Sequence, residues 1–193
     1  MSKRYIPGII ETLQKKYSLD EFLVYNSSSL ESPYRGPNNA FNYENTEKFE
    51  SSPLEEPFFY FGFKNMSITL VSYKIRSSIN AAGFSHLKKW DFYGSNDAVN
   101  WELIDRRENI DILNGALSTG IFKIERPINP FSHYMISNTT SHYMEKKIMF
   151  SAFDVYDIML DSYHFYGCIT AKCKKSFSDI RTFVLLTLCL IIK

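Results

Sequence analysis

The stretch HLKKWDFYGSNDAVNWELID, residues 86–105, decides the fold. Trp90 and Phe92 alternate with more polar neighbours, a pattern typical of a strand with one face against a core. The Ser-Asn-Asp sequence at 95–97 supplies turn residues, and a second alternating segment starts at Trp101. Two such segments around a turn predict antiparallel strands with both tryptophans in the core. The alternative is that the tryptophans form an aromatic platform for a sugar ring.

Strand-like segments recur along the rest of the chain. ITLVSYKIRS, residues 68–77, alternates and should turn Val71, Tyr73 and Ile75 inward. Little helix is expected between these segments, so they predict an all-β antiparallel sandwich. The further strand segments are PFFYFGF (57–63), IFKIER (121–126), HYMIS (133–137) and IMFSAFDVYD (148–157). The expected core aromatics are Phe59, Tyr73, Trp90, Phe92, Trp101, Phe122, Tyr134 and Phe153.

The composition limits the classes of function. The chain has 193 residues, of which 45% are hydrophobic and 16% aromatic, so a sizeable core can be buried. Lys and Arg number 22 against 21 Asp and Glu, and this balance gives no basic field for nucleic acid. General disorder is also excluded, because it needs low hydrophobicity and high net charge.

The two ends of the chain differ from its centre. Residues 1–17 contain a helix-like segment, which is either a packing element or a junction to an upstream domain. Residues 158–193 form a C-terminal extension with the apolar run 182–192, which could pack on the domain, contact a partner or touch a membrane. The start lacks the apolar segment of a signal peptide, and the three cysteines all lie in this extension, which favours reduced thiols and a cytoplasmic protein.

Residues 18–157 resemble the coagulation factor five/eight C-type domain, also called the discoidin domain. The positions that carry the resemblance are Tyr73, Ile75, Ser77, Lys88, Trp90, Gly94, Ser95, Asn96, Asp97 and Trp101. The resemblance implies a galactose-binding-like jelly-roll sandwich that binds carbohydrates, lipid headgroups or proteins and does not catalyse a reaction. The branch of the family that this chain resembles often follows an intracellular BTB-type domain. The GIIETLQKKY segment looks like the linker at that junction.

No motif for catalysis, a cofactor or a metal is found. The four histidines have no metal-protease spacing, and no nucleophile elbow or phosphate-binding glycine loop occurs. Asn96 and Asp97 fit turn chemistry better than metal ligation. The acidic series Asp105, Glu108 and Asp111 lacks the oxygens and the glycine of a calcium loop, which favours a salt-bridged loop.

Antiparallel strands would place the loops around 76–88, 105–120 and 137–147 at one end of the sandwich. The resemblance adds the loop 30–37 to this end. Loops carry binding residues while the scaffold holds them, although an ordinary solvated rim is the alternative. The candidate ligand-binding residues are Tyr34, Arg35, Arg76, His86, Arg106, Arg107, His142 and Tyr143.

The sequence therefore predicts a non-catalytic binding or adaptor module. The leading hypothesis is an intracellular protein-interaction domain, because the signal peptide and a disulfide framework are missing. The first alternative is recognition of a carbohydrate or a lipid headgroup. The second is an accessory domain of an enzyme system. No nucleic-acid partner and no cofactor are expected.

Overall fold

The computed structural model describes residues 7–125 and 129–157. Two short helices, α1 (Ile9–Gln14) and α2 (Leu19–Phe22), precede the strands, and a 3-10 helix covers Pro37–Phe41. The strands are β1 (Leu23–Ser27), β2 (Phe49–Glu50), β3 (Phe59–Phe63), β4 (Leu70–Arg76), β5 (Leu87–Ser95), β6 (Glu102–Arg107), β7 (Thr119–Lys123), β8 (His133–Ser141), β9 (Met149–Phe150) and β10 (Ala152–Asp157).

The strands form two main layers. Five of them make a sheet in the order β1-β3-β8-β5-β6, and β10-β4-β7 make a three-stranded sheet. The short strands β2 and β9 pair separately. Every strand pair is antiparallel. The predicted all-β antiparallel sandwich is confirmed.

Aromatic side chains from both layers fill the core. The Tyr73 ring of β4 lies 4.7 Å from that of Phe92 on β5, and Trp90 meets Phe122 of β7 edge to face at 4.9 Å. Tilted and edge-to-face pairs at these distances add to the stability that burial already supplies. Seven of the eight expected core aromatics are buried in the structure: Phe59, Tyr73, Trp90, Phe92, Phe122, Tyr134 and Phe153.

The prediction that Trp101 is a core residue is wrong. Its side chain is partly exposed, just before β6, and its ring stands at 90° to that of Tyr60, 6.2 Å away. The cause is an irregularity in β5–β6 pairing, where Phe92 pairs with Asp105 but its neighbour Tyr93 pairs with Leu103. The extra residue Ile104 acts as a bulge and changes which side chains face the core.

Strand β4 is buried on both of its faces. Tyr73 and Ile75 point into the sandwich as expected, but Ser72 and Lys74 on the other face are buried too. Helix α1 contributes to this burial, because it packs against β10, the neighbour of β4. Strand β3 is buried at every position except Tyr60, which is partly exposed.

A buried carboxylate fixes helix α1 to the sandwich. Asp154 of β10 accepts hydrogen bonds from the backbone N–H groups of Ile10 (2.9 Å) and Glu11 (3.3 Å). Gly8 makes this approach feasible, since a Cβ there would lie 2.2 Å from the Asp154 Cγ. Residues Ile9, Ile10 and Leu13 belong to the same hydrophobic core as the strands. The domain limits at 17 and 157 stay predictions.

Within the described ranges, the helices are all too short or too polar to cross a membrane. The apolar run 182–192 and the three cysteines lie outside the described residues, so the alternatives stated for them remain predictions.

Candidate functional site

The strand registers bring four connections to one end of the sandwich. Arg76 at the end of β4 lies opposite both Thr119, where β7 begins, and Ala152, where β10 begins. Leu87 at the start of β5 pairs with Ser141 at the end of β8. This end, which we call the loop end, carries the connections 28–58, 77–86, 108–118 and 142–151. The opposite end, the base, carries the connections around 64–69 and 96–101, together with residues 124–125 and 129–132 between β7 and β8.

Hydrogen bonds tie three of the connections at the loop end to one another. The backbone N–H of Gly83 donates to the Asn114 side chain (2.7 Å), joining 77–86 to 108–118. The N–H of His142 donates to the His86 carbonyl (2.9 Å), and Ser85 Oγ donates to the Glu145 carboxylate (2.9 Å). The loops therefore hold their shape through direct contacts and form a preorganised rim.

A buried carboxylate joins the fourth connection to this rim. Glu50 is 5% exposed. Its carboxylate accepts hydrogen bonds from Lys147 (2.8 Å), Lys48 (2.9 Å) and Arg35. Burial raises the pKa of Glu50, but the hydrogen bonds from Lys147 and Lys48 outweigh burial and leave the pKa below its ordinary value. Lys48 also donates to the Asn80 side chain (3.2 Å). The segment that bears Tyr34 and Arg35 is thus anchored to 77–86.

Three of the candidate residues are occupied by internal contacts. Arg76 donates to Ser151 Oγ and to the carbonyls of Tyr43 and Asn45. His86 is fully buried, and its Nε2 lies 3.0 Å from the Asn80 carbonyl.

The third of these residues is His142. Its Nε2 lies 2.8 Å from the Ile110 carbonyl. These three side chains shape the loop end by holding its loops, and they present few free polar atoms to a ligand.

Arg106 and Arg107 are not loop residues, because strand β6 continues through them. Arg106 forms a two-point pair with Asp91, at 2.7 and 2.9 Å. Arg107 pairs with Asp105 at 2.7 Å, and Asp105 accepts from the buried Tyr73 hydroxyl. The prediction that both arginines lie on a loop is therefore wrong, and each charge is paired with a carboxylate of the same sheet. Of the acidic series, Asp105 pairs with Arg107 and Glu108 lies 4.0 Å from Lys89, so the salt-bridged interpretation holds for these two residues.

The remaining candidates do face solvent at the loop end. Tyr34 is 87% exposed and Tyr143 is 66% exposed. The Arg35 side chain is 42% exposed and pairs with Glu50 through one of its nitrogens. Sequence reasoning missed further exposed apolar side chains on the same loops: Ile79, Phe84, Ile112 and Met144. For Phe84, the sequence signal of exposure is its position next to Gly83 in a loop segment rich in small residues.

The turn at 95–100 is built as the residue types indicated. Asp97 accepts from the backbone N–H groups of Val99 (2.9 Å) and Asn100 (2.8 Å). The Asn100 hydrogen bonds are the main cause that holds the pKa of Asp97 well below its usual range. In the part of the chain that the structure describes, no three His, Cys, Asp or Glu side chains are grouped to hold a metal ion.

The two layers, their strand order and the loop end define the galactose-binding-like fold of discoidin, or F5/8 type C, domains. No protein-family model matches the sequence, and neither does any curated protein. Solved structures do match. The F5/8 type C domain of a Bacteroides fragilis protein has a TM-score of 0.58 at 12% identity, with 70% of this chain and 91% of that domain covered.

Two further matches are carbohydrate-binding modules. The family 32 module of Clostridium perfringens NanJ, solved with galactose, has a TM-score of 0.54 at 10% identity and covers 70% of this chain and 93% of its own. Chitosan-binding module 1 of a Paenibacillus chitosanase/glucanase has a TM-score of 0.52 at 16% identity. The match covers 69% of this chain and 93% of that module. At these identities the likeness shows that the fold is shared.

Proposed function

We propose that the chain is a non-catalytic module that binds carbohydrate at the loop end. The observation that carries the proposal is a rim of interlocked loops that presents exposed aromatic rings. Tyr34, Phe84 and Tyr143 are each more than half exposed, although the loops that hold them are bonded together. Aromatic rings offer apolar faces to the C–H groups of a sugar, and held loops spare the ordering cost of binding.

Polar side chains for sugar hydroxyls stand beside these rings. Arg35 follows Tyr34 directly, and a guanidinium that pairs through one nitrogen keeps further N–H donors for a ligand. Asp111 and Lys146 are exposed on the neighbouring connections. A few placed polar groups among apolar ones are the usual composition of a small-ligand site.

The fold comparisons support carbohydrate recognition more than the intracellular adaptor hypothesis. Two of the similar structures are modules described by the sugar they bind, galactose and chitosan. The residues described here supply no feature that favours a protein partner over a sugar. The adaptor role and the cytoplasmic location stay predictions, and cell fractionation tests the location.

The test is binding of the whole chain to a panel of galactose, GalNAc-β-1,3-galactose and chitosan oligosaccharides, measured by calorimetry. We expect a member of the panel to bind. The variant Tyr34→Ala/Arg35→Ala should weaken that binding about tenfold or more, the loss expected from about 1.4 kcal/mol. Val99→Ala, an exposed apolar change at the base, is the matched control and should leave binding unchanged.

Two results would contradict the proposal. One is equal binding by the parent chain and Tyr34→Ala/Arg35→Ala. The other is that the chain binds no sugar of the panel but does bind liposomes or a protein. This result would favour the lipid or adaptor hypothesis.

A further inference from the structure

We propose a second carbohydrate site near the base, on the outer face of the five-stranded sheet, where the rings of Tyr60 and His133 form a platform for a sugar ring. The inference rests on the proposed class of ligand but places it on different residues, on β3 and β8. None of these residues belongs to the loop end.

The rings of Tyr60 and His133 are nearly parallel and lie side by side on neighbouring strands. Their centroids are 5.9 Å apart and their planes differ by 19°. The Tyr60 hydroxyl lies 2.8 Å from His133 Nδ1, so a hydrogen bond fixes one ring against the other. The Trp101 ring stands at 90° to the Tyr60 ring, with 6.2 Å between the centroids.

A glycine lets these rings lie down on the sheet. Gly62 pairs with His133 across the two strands. A Cβ at Gly62 would lie 2.4 Å from His133 Nδ1 and 3.0 Å from the Tyr60 hydroxyl. Any larger residue at this position would push both rings off the sheet surface. The platform therefore depends on the missing side chain.

An open groove of about 550 Å³ begins at His133. This volume lies within the usual range of about 300–1,000 Å³ for small-ligand sites. Its walls combine the apolar Val24, Phe63 and Met66 with polar side chains from the β3–β4 connection and β8. A sugar stacked on the platform could thus extend its chain into a cavity of mixed character.

The protonation states suit a hydrogen bond to a sugar hydroxyl. Burial raises the pKa of Tyr60, so its hydroxyl stays protonated and is available as a donor to His133 Nδ1, 2.8 Å away. Burial also lowers the pKa of His133, against the opposing charge of Asp97, so the imidazole is neutral at pH 7. A neutral ring that accepts at Nδ1 carries its hydrogen on Nε2, which then donates to the ligand. Lys64, the charged residue of the groove, already donates to the Asp20 carbonyl.

The partly exposed Trp101 is a built-in reporter, since Trp90 is fully buried. We would titrate the whole chain with the same three saccharides and follow tryptophan emission, with Tyr34→Ala/Phe84→Ala/Tyr143→Ala removing the loop-end rings. The emission change should persist in that variant. It should be weakened about tenfold or lost in Gly62→Ala and in His133→Ala. Ile121→Ala, an exposed change on β7, should leave it unaltered.

The outcomes separate the two sites. An emission change that survives the loop-end variant and disappears in Gly62→Ala supports the base site, even if the loop end proves inactive. A second outcome is that the parent chain binds a saccharide by calorimetry without a change in tryptophan emission, and that the loop-end variant no longer binds. This outcome overturns the base site and leaves the proposed function standing. Absence of all saccharide binding overturns both. A melting temperature within a few degrees of the parent chain shows that each variant is folded.

Discussion

The loop end and the base of the sandwich use polar side chains in opposite ways. At the loop end, charged and polar groups bond one loop to another, and the rings of Tyr34 and Tyr143 are left exposed. At the base, polar groups fix aromatic rings to the sheet itself, as the Tyr60–His133 pair shows. A binding surface can therefore be made rigid either by tying loops together or by laying side chains on a strand.

The largest effect should follow from breaking the ion cluster that holds the loop end. Glu50→Gln removes the charge that neutralises Lys48 and Lys147, and Lys147 is only 7% exposed. Removing one partner of a buried ion pair costs about 3 kcal/mol or more of unfolding free energy. Urea denaturation measures the loss, and the exposed Glu47→Gln serves as the control. Equal stability of the two variants would show that the loops are held by other contacts.

The second effect concerns a carboxylate midway between the two ends. Burial raises the pKa of Asp154 to about 6, although hydrogen bonds from Val155, Ile10 and Glu11 oppose it. Because the folded pKa exceeds the unfolded value of 3.8, its contribution to stability is complete below about pH 3.8 and is lost as the pH rises through about 6.

Measuring unfolding free energy from pH 4 to pH 8 tests this dependence on Asp154. Relative to Asp154→Asn, the parent chain should lose about 3 kcal/mol of stability between the two limits. Parallel curves would contradict the assignment, because they would show that burial does not disfavour the charged form of Asp154.

A smaller effect should come from the base platform. Tyr60→Phe keeps the ring but removes the hydrogen bond to His133, which is partly exposed. A loss of about 1 kcal/mol in unfolding free energy is expected for one such bond. Tyr25→Phe is the matched control, since it removes a hydroxyl bonded to the surface residue Asp20. A larger loss from Tyr25→Phe would mean that the platform is loosely held.

The smallest effect is a pH-dependent change in tryptophan fluorescence at the base. The pKa of His133 lies below its ordinary value of 6.5, so the ring is neutral above that pH and becomes charged only at lower pH. Emission of the nearby Trp101 should change on acidification below pH 6.5 in the parent chain and stay constant in His133→Ala. The same acid response in both proteins would show that another group is responsible.

Residue pattern was enough to predict the sandwich and most of its core. The alternation of Trp90 and Phe92 correctly places both in the core, and the Ser-Asn-Asp turn forms as its residue types require. Trp101 was assigned to the core because one extra residue in β6 cannot be seen in an alternating pattern. A shift of one residue moves side chains to the opposite face of a strand.

The candidate site was harder to predict because proximity decides whether a polar side chain is free. Tyr34 and Tyr143 are exposed as their loop positions suggested, while Arg76 and His86 are used by backbone carbonyls that only the folded chain brings near them. No sequence pattern predicted the platform of Tyr60 and His133 at the base. It depends on Gly62 on one strand and His133 on another, which lie far apart in sequence and meet only through the β3–β8 register.

The Asp154–α1 contact also determines how the domain can be attached to something else. Gly8 lies beside Asp154, and Asp157 follows three residues later at the base end of β10, about 10 Å further along the strand. The described residues therefore end at the base, whereas the first of them lie beside the middle of β10. A surface or a bead coupled at Asp157 would lie on the side of the base and leave the loop end facing outward, which is the suitable geometry for assays of binding at the loop end.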